Sequence, residues 1–158
     1  MSARDGYRIA DEPRPGPLDA WVVAPHWPLL SLMLAGPWLA WPWALFNSWA
    51  MGSPTKWKEH GLVLLALALP WPIAIGTWEA LGPLGLSTDF RRALVLIPVI
   101  VVKLLVGYFL HSLQSGPFEL REHFGGESKN GMMLVLAGFF LGPRLGIGSI
   151  PGLGLVLQ

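Results

Sequence analysis

Polar and apolar residues are segregated into long blocks along this chain and do not alternate. Residues 20–55 contain no Asp, Glu, Lys or Arg, and neither do residues 61–78. Residues 93–113 are broken only by Lys103, and residues 131–158 only by Arg144. Apolar runs of this length are the signature of membrane-crossing helices, because the strands of a membrane barrel alternate with period two. The pattern predicts an all-α, polytopic transmembrane helix bundle. Its four spans fall at about 28–50, 61–81, 93–113 and 131–157, the last with a break near residue 143. The first span would reach ~34 Å at 1.5 Å per residue, slightly more than the ~30 Å hydrocarbon layer.

Punctuation between the blocks agrees with this division. Gly52, Ser53 and Pro54 stop the first apolar run, Gly82 and Pro83 the second, and Gly125 and Gly126 lie in a polar third connection. Pro37 and Pro42 should kink the first span, and Pro70 and Pro72 the second. The Gly-rich stretch beginning at Gly142 is poor helix material, so the last block is expected to break there and either cross or fold back. Residues 1–19 are polar and Pro-rich and read as a solvated tail, without the basic-then-apolar order of a cleaved leader.

Composition narrows the class. Of 158 residues 53% are hydrophobic and 13% charged, against roughly 25% charged in soluble domains. A water-facing surface needs more charge than this. The net charge of +1 is too small for a nucleic-acid binder. With no cysteine, thiol nucleophiles, thiolate metal sites and disulfides are excluded. Four spans put the tail and second connection on one side with Arg8, Arg14, Arg91 and Arg92, and the other two connections opposite with Lys56, Lys58, Arg121 and Lys129. Four cations face four, so the rule that cytoplasmic loops carry the excess of Lys and Arg gives no orientation.

The Gly36-Pro37 pair, Asn47, and the connection from Gly52 through Pro54 to Lys56, with Gly-Gly-Glu-Ser at 125–128, resemble a pattern in small bacterial multi-pass inner-membrane proteins that have no assigned activity. The resemblance implies a bacterial cytoplasmic (inner) membrane location, and it carries over no catalytic residue.

Lys103 lies ten residues from either end of its predicted span, and a charge at that depth costs roughly 2.5 to 3.5 kcal/mol on insertion scales. Arg144 reaches similar depth if its segment is helical, and Glu79 is the nearest acid in sequence terms. Lys103, Arg144 and Glu79 are therefore the candidate binding residues for an anionic group, against the plainer reading that the cations snorkel to an interface. His60, His111, Glu119, Glu122 and His123, together with Glu59, fall on one side of the predicted bundle and are the candidate metal-ligating or acid-base groups. No motif for a serine nucleophile, phosphate loop or dinucleotide fold occurs, and no cofactor is implied. The nine tryptophans fall between Trp21 and Trp78. Those near predicted span ends suit an interfacial belt, while Trp38, Trp41, Trp43 and Trp71 need indole acceptors or form an aromatic wall. The leading expectation is a non-enzymatic membrane subunit, scaffold or partner-binding module. The alternatives are an oligomeric carrier or channel element for an anion using Lys103, and a membrane enzyme using the His and Glu group. Expected partners are the lipid bilayer and other membrane subunits or further copies of the chain, with no nucleic acid.

Overall fold

A computed structural model describes residues 17–145. Six helices account for most of them: α1 (His26–Leu34), α2 (Pro37–Ala50), α3 (Lys56–Ala68), α4 (Pro70–Leu81), α5 (Thr88–His123) and α6 (Met132–Leu141). Among the described residues there is no strand, and Val23 and Lys129 form an isolated parallel bridge.

Where one span was expected over about 28–50, the chain forms two helices that double back. Gly36 holds φ of +96°, a backbone region closed to most side chains, and Pro37 starts α2 at a position where a missing N–H costs nothing. The reversal is visible in the neighbours. The Val23 N–H, just before α1, donates to Asn47 near the end of α2, and Trp27 and Trp43 both lie against Gly131. At the other end Ala35 and Trp38 lie together beside Gly142. Thus α1 and α2 are an antiparallel hairpin with its tip at Gly36 and both feet at one end of the bundle, here called the base. Pro42, expected to kink a span, sits on an exposed face of α2, and the helix continues through it.

Two longer rods support the hairpin. α3 and α4 run almost without interruption from the base to the far end, joined at Leu69, whose backbone is itself helical. The segment Lys56–Leu84 and the helix Thr88–His123 are each long and apolar enough to cross a membrane. α5 returns antiparallel to α3 and α4, with Val95 and Val99 packed near Ala74, and Val106 and Leu110 in one cluster with Leu32, Ala40, Ala44 and Val63. It continues to His123 despite Pro117, well into the stretch 114–130 expected as a connection. The expected start of a helix after Gly131 is found in α6, and a short tight turn over Gly142–Leu145 falls at the expected break. Whether the remainder of that block crosses or folds back concerns residues outside those described.

The base half is therefore thick, with the hairpin wedged between α5 on one side and α6 on the other, while the far half contains only α4 and α5 among the described residues. Close approach depends on small residues. A side chain at Gly107 of α5 would collide with Leu32 of α1, and one at Gly138 of α6 with Leu39 and, at 3.0 Å, with the Ala35 methyl. At the far end the Arg91 guanidinium donates to the Trp78 carbonyl and lies 3.8 Å from the Trp78 ring centroid, closing the C-terminal end of α4.

Gly107→Ile should push the hairpin off α5. The expected loss is about 1–3 kcal/mol of stability, the cost of overpacking, read as a lower melting temperature in detergent by tryptophan fluorescence; an exposed control, Gly116→Ile, should leave the hairpin in place.

Candidate functional site

Polar side chains are concentrated inside the base half. Glu59, Asn47, Ser53 and Gln114 are all at most 1% exposed, although an unpaired carboxylate in such a place is prohibitively costly. The cost is met by a connected set of donors. Ser53 Oγ and Thr55 Oγ1 donate to Glu59 Oε1 at 2.6 and 2.7 Å, and Gln114 Nε2 donates to Oε2 at 2.8 Å. The same Gln114 amide donates at 2.9 Å to the Ala44 carbonyl, which fixes which way the amide faces. Its Oε1 in turn faces Asn47 Nδ2 at a longer 3.4 Å, and Asn47 Oδ1 accepts from the Val23 N–H at 2.9 Å.

Local sequence explains the arrangement. Ser53, Thr55 and Glu59 lie on the turn and first helical turn that open α3, so two hydroxyls and a carboxylate converge within seven residues, and the Thr55 N–H adds a bond to Ser53 Oγ. Gln114 and Asn47 come from α5 and α2, so this one knot ties three helices and the strand-like lead-in to α1. The adjacent seam between hairpin and α5, lined in part by Trp41, Ala44, His111 and Gln114, holds a cavity of about 10 Å³. Small-molecule sites need roughly 300–1,000 Å³, so this cavity is too small to hold a substrate.

Just beyond the base a second polar clamp is made of Arg121, near the end of α5, and Asp19. Arg121 donates through Nε at 2.7 Å and Nη2 at 2.9 Å to the two carboxylate oxygens, and also to the Asp19 carbonyl. The hydrogen bonds from Arg121, with its positive charge, hold the Asp19 carboxyl below its usual value of 3.8 despite partial burial.

The remaining predicted site residues are dispersed. Lys103 is 5% exposed in α5, one turn past Gly107 and so level with the hairpin tip. Glu79 is exposed near the Trp78–Arg91 contact, about 18 Å farther along α5 at 1.5 Å per residue. Arg144 is exposed beyond α6, on the opposite side of the hairpin from α5. Glu79 is thus separated along the bundle from Lys103, one of the two cations expected to join it. Of the expected metal or acid-base group, Glu119, Glu122 and His123 are exposed, and among the described residues no three His, Asp or Glu side chains converge as metal ligands. His60 has both ring nitrogens engaged, Nε2 accepting from the Trp49 indole at 2.7 Å and Nδ1, which then carries the proton, donating to the Lys56 carbonyl. His111 Nδ1 faces Ser115 Oγ, whose own proton goes to the His111 carbonyl. Of the deeper indoles, Trp38 donates to Ala35 O at 2.6 Å, whereas the buried Trp41 Nε1 has no acceptor among the described residues.

Compared with protein-family models, with curated proteins and with solved structures, the chain matches none.

Gln114→Leu removes the donor to Glu59 and the acceptor of Asn47 together. At about 1–3 kcal/mol for each buried polar group left unpaired, it should destabilise the fold far more than Glu59→Gln, where Ser53 and Thr55 can rotate to accept the new amide; thermal unfolding of both variants in the same detergent checks the order. Acid sensitivity should come from Asp19. Its folded pKa is depressed, so its contribution is present above pH 3.8 and lost as pH falls through the still lower folded value. Melting temperatures between pH 6 and 3 should fall more steeply for the unaltered chain than for Asp19→Asn, which has no such proton to gain.

Proposed function

We propose that this chain is an integral membrane protein acting as a non-enzymatic scaffold or subunit that binds other membrane helices. One observation carries the reading: the distribution of polarity is inverted. Only 17% and 33% of the most apolar stretches of its two long rods are buried, whereas the core helix of a soluble protein would be mostly enclosed. Leu96, Ile97, Ile100, Leu105 and Phe109 of α5 are all about half exposed or more, while Glu59, Asn47 and Gln114 are inside. Water is a poor solvent for such an exterior and lipid a good one. The far half, where only α4 and α5 face each other among the described residues, offers the largest unpartnered helix surface.

A structural role for the knot is supported by its carboxylate, which is enclosed and bonded to three donors. The carrier reading finds less support, because neither the seam cavity nor the groove described below is lined by Lys103.

In this reading α1 and α2 enter and leave on the same side, and the topology changes accordingly. Lys56, Lys58, Arg121 and Lys129 lie at the base, and Arg91 and Arg92 at the far end. Four cations against two favour a cytoplasmic base, with the chain resident in a cytoplasmic membrane as a multi-pass protein.

The test uses the lack of native cysteine. Single substitutions Leu18→Cys, Lys58→Cys and Ser128→Cys should label from the cytoplasmic face and Ser87→Cys from the other. Labelling of Leu18→Cys opposite to Lys58→Cys would restore a continuous first span. Release of the protein from membranes by alkaline wash without detergent would overturn the membrane reading itself.

A further inference from the structure

A groove of about 530 Å³ opens beside the hairpin at the base, between α2 and the start of α6. Its floor is apolar: Leu39, Phe46 and Leu134, with Trp43 behind them. Its rim is not. Among the described residues Lys129 is the one charged residue that lines it, and it stands with Asn130, where the chain enters α6, and with Trp21, ahead of α1. The rim is held in place by backbone bonds, the Lys129 N–H to the Val22 carbonyl at 2.8 Å, and by Asn130 Oδ1, which accepts from the Met132 N–H at 2.8 Å. Asn130 also carries a side-chain N–H donor, and Trp21, 66% exposed, carries an indole N–H. Lys129, Asn130 and Trp21 thus bring one cation and two side-chain donors to the rim.

We infer that this groove binds an anionic phospholipid, its phosphodiester held by Lys129 with Asn130 and Trp21, and an acyl chain lying over Leu39, Phe46 and Leu134. The inference rests on the membrane reading above. The volume lies in the range of small-molecule sites, roughly 300–1,000 Å³. One polar, positively charged end on an otherwise apolar trough is the complement of an amphiphile and not of a purely apolar helix. Its level also fits: a tryptophan and a lysine at the mouth belong at the headgroup layer, and the base carries the excess of cations that marks the leaflet rich in anionic lipid.

The full chain, purified in mild detergent and stripped of lipid, is exchanged into vesicles of phosphatidylcholine with or without phosphatidylglycerol. Native mass spectrometry reads retained lipid, and contact with Trp43 is read as the part of the quenching by brominated acyl chains that is lost in Trp43→Phe. Phosphatidylglycerol should be retained in preference to phosphatidylcholine, and Lys129→Gln should reduce that preference roughly fivefold. Leu134→Trp, which fills the trough, should abolish retention while helicity by circular dichroism is unchanged. Equal retention of both lipids, unaffected by Lys129→Gln, overturns the proposal. So does displacement of the lipid by inorganic phosphate alone, which marks a free-anion site, or a Leu134→Trp variant that loses self-association and keeps its lipid, which marks a second copy in the groove. Flotation with vesicles of either composition is scored on the same samples: flotation without lipid preference removes this site and leaves the membrane reading standing.

Discussion

The Glu59 carboxylate sets the terms for the rest of the molecule. A charge-bearing group shut away from water must find hydrogen-bond donors or be excluded, and here the donors come from two places in the chain, its own turn and Gln114 of α5, which in turn accepts from Asn47 of α2. Lipid-facing helices gain little from hydrophobic contact with one another, because the surrounding solvent is equally apolar. Polar knots and small-residue contacts then do the specifying. Gly107 and Gly138 let the hairpin approach α5 and α6 closely, and Gln114 fixes the register at which it docks.

The two polar clusters divide the work by depth. The Glu59 knot is buried, and holds α2, α3 and α5 together. The Arg121–Asp19 clamp lies farther out, where Asp19 retains partial exposure, and secures the lead-in to α1. Between them the chain passes through Val22 and Val23, both buried, whose backbone is bonded to Lys129 and Asn47. A short segment with almost no regular structure is thereby fixed at both ends, and it forms one wall of the lipid groove.

Much of the helical architecture was legible in the sequence, because unbroken apolar runs such as 61–78 and the Gly and Pro pairs between them report directly on helix and turn. The hairpin was not, since Gly36-Pro37 suits a kink as well as a reversal, and only contacts distant in sequence, Val23 with Asn47 or Leu32 with Gly107, decide between them. Reading formal charge alone drew attention to Lys103, Glu79 and Arg144, of which Glu79 lies beside the far-end contact of Trp78 with Arg91. It met Asn47 only as part of a motif, put Gln114 at the start of the polar third connection, and grouped Glu59 with the candidate metal-ligating or acid-base residues. The signal that would have found it is the short spacing of Ser53, Thr55 and Glu59 at a helix start, two hydroxyls within reach of one carboxylate.

The doubled-back hairpin also has a bearing on biogenesis. Its two helices are made first, yet Gln114, which bonds Asn47 across a separation of 67 residues, is made late. Until α5 emerges from the ribosome, the amide of Asn47 and the Ala44 carbonyl have no Gln114 to meet. The hairpin therefore acquires its polar tie to α5 only after most of the polypeptide has been translated.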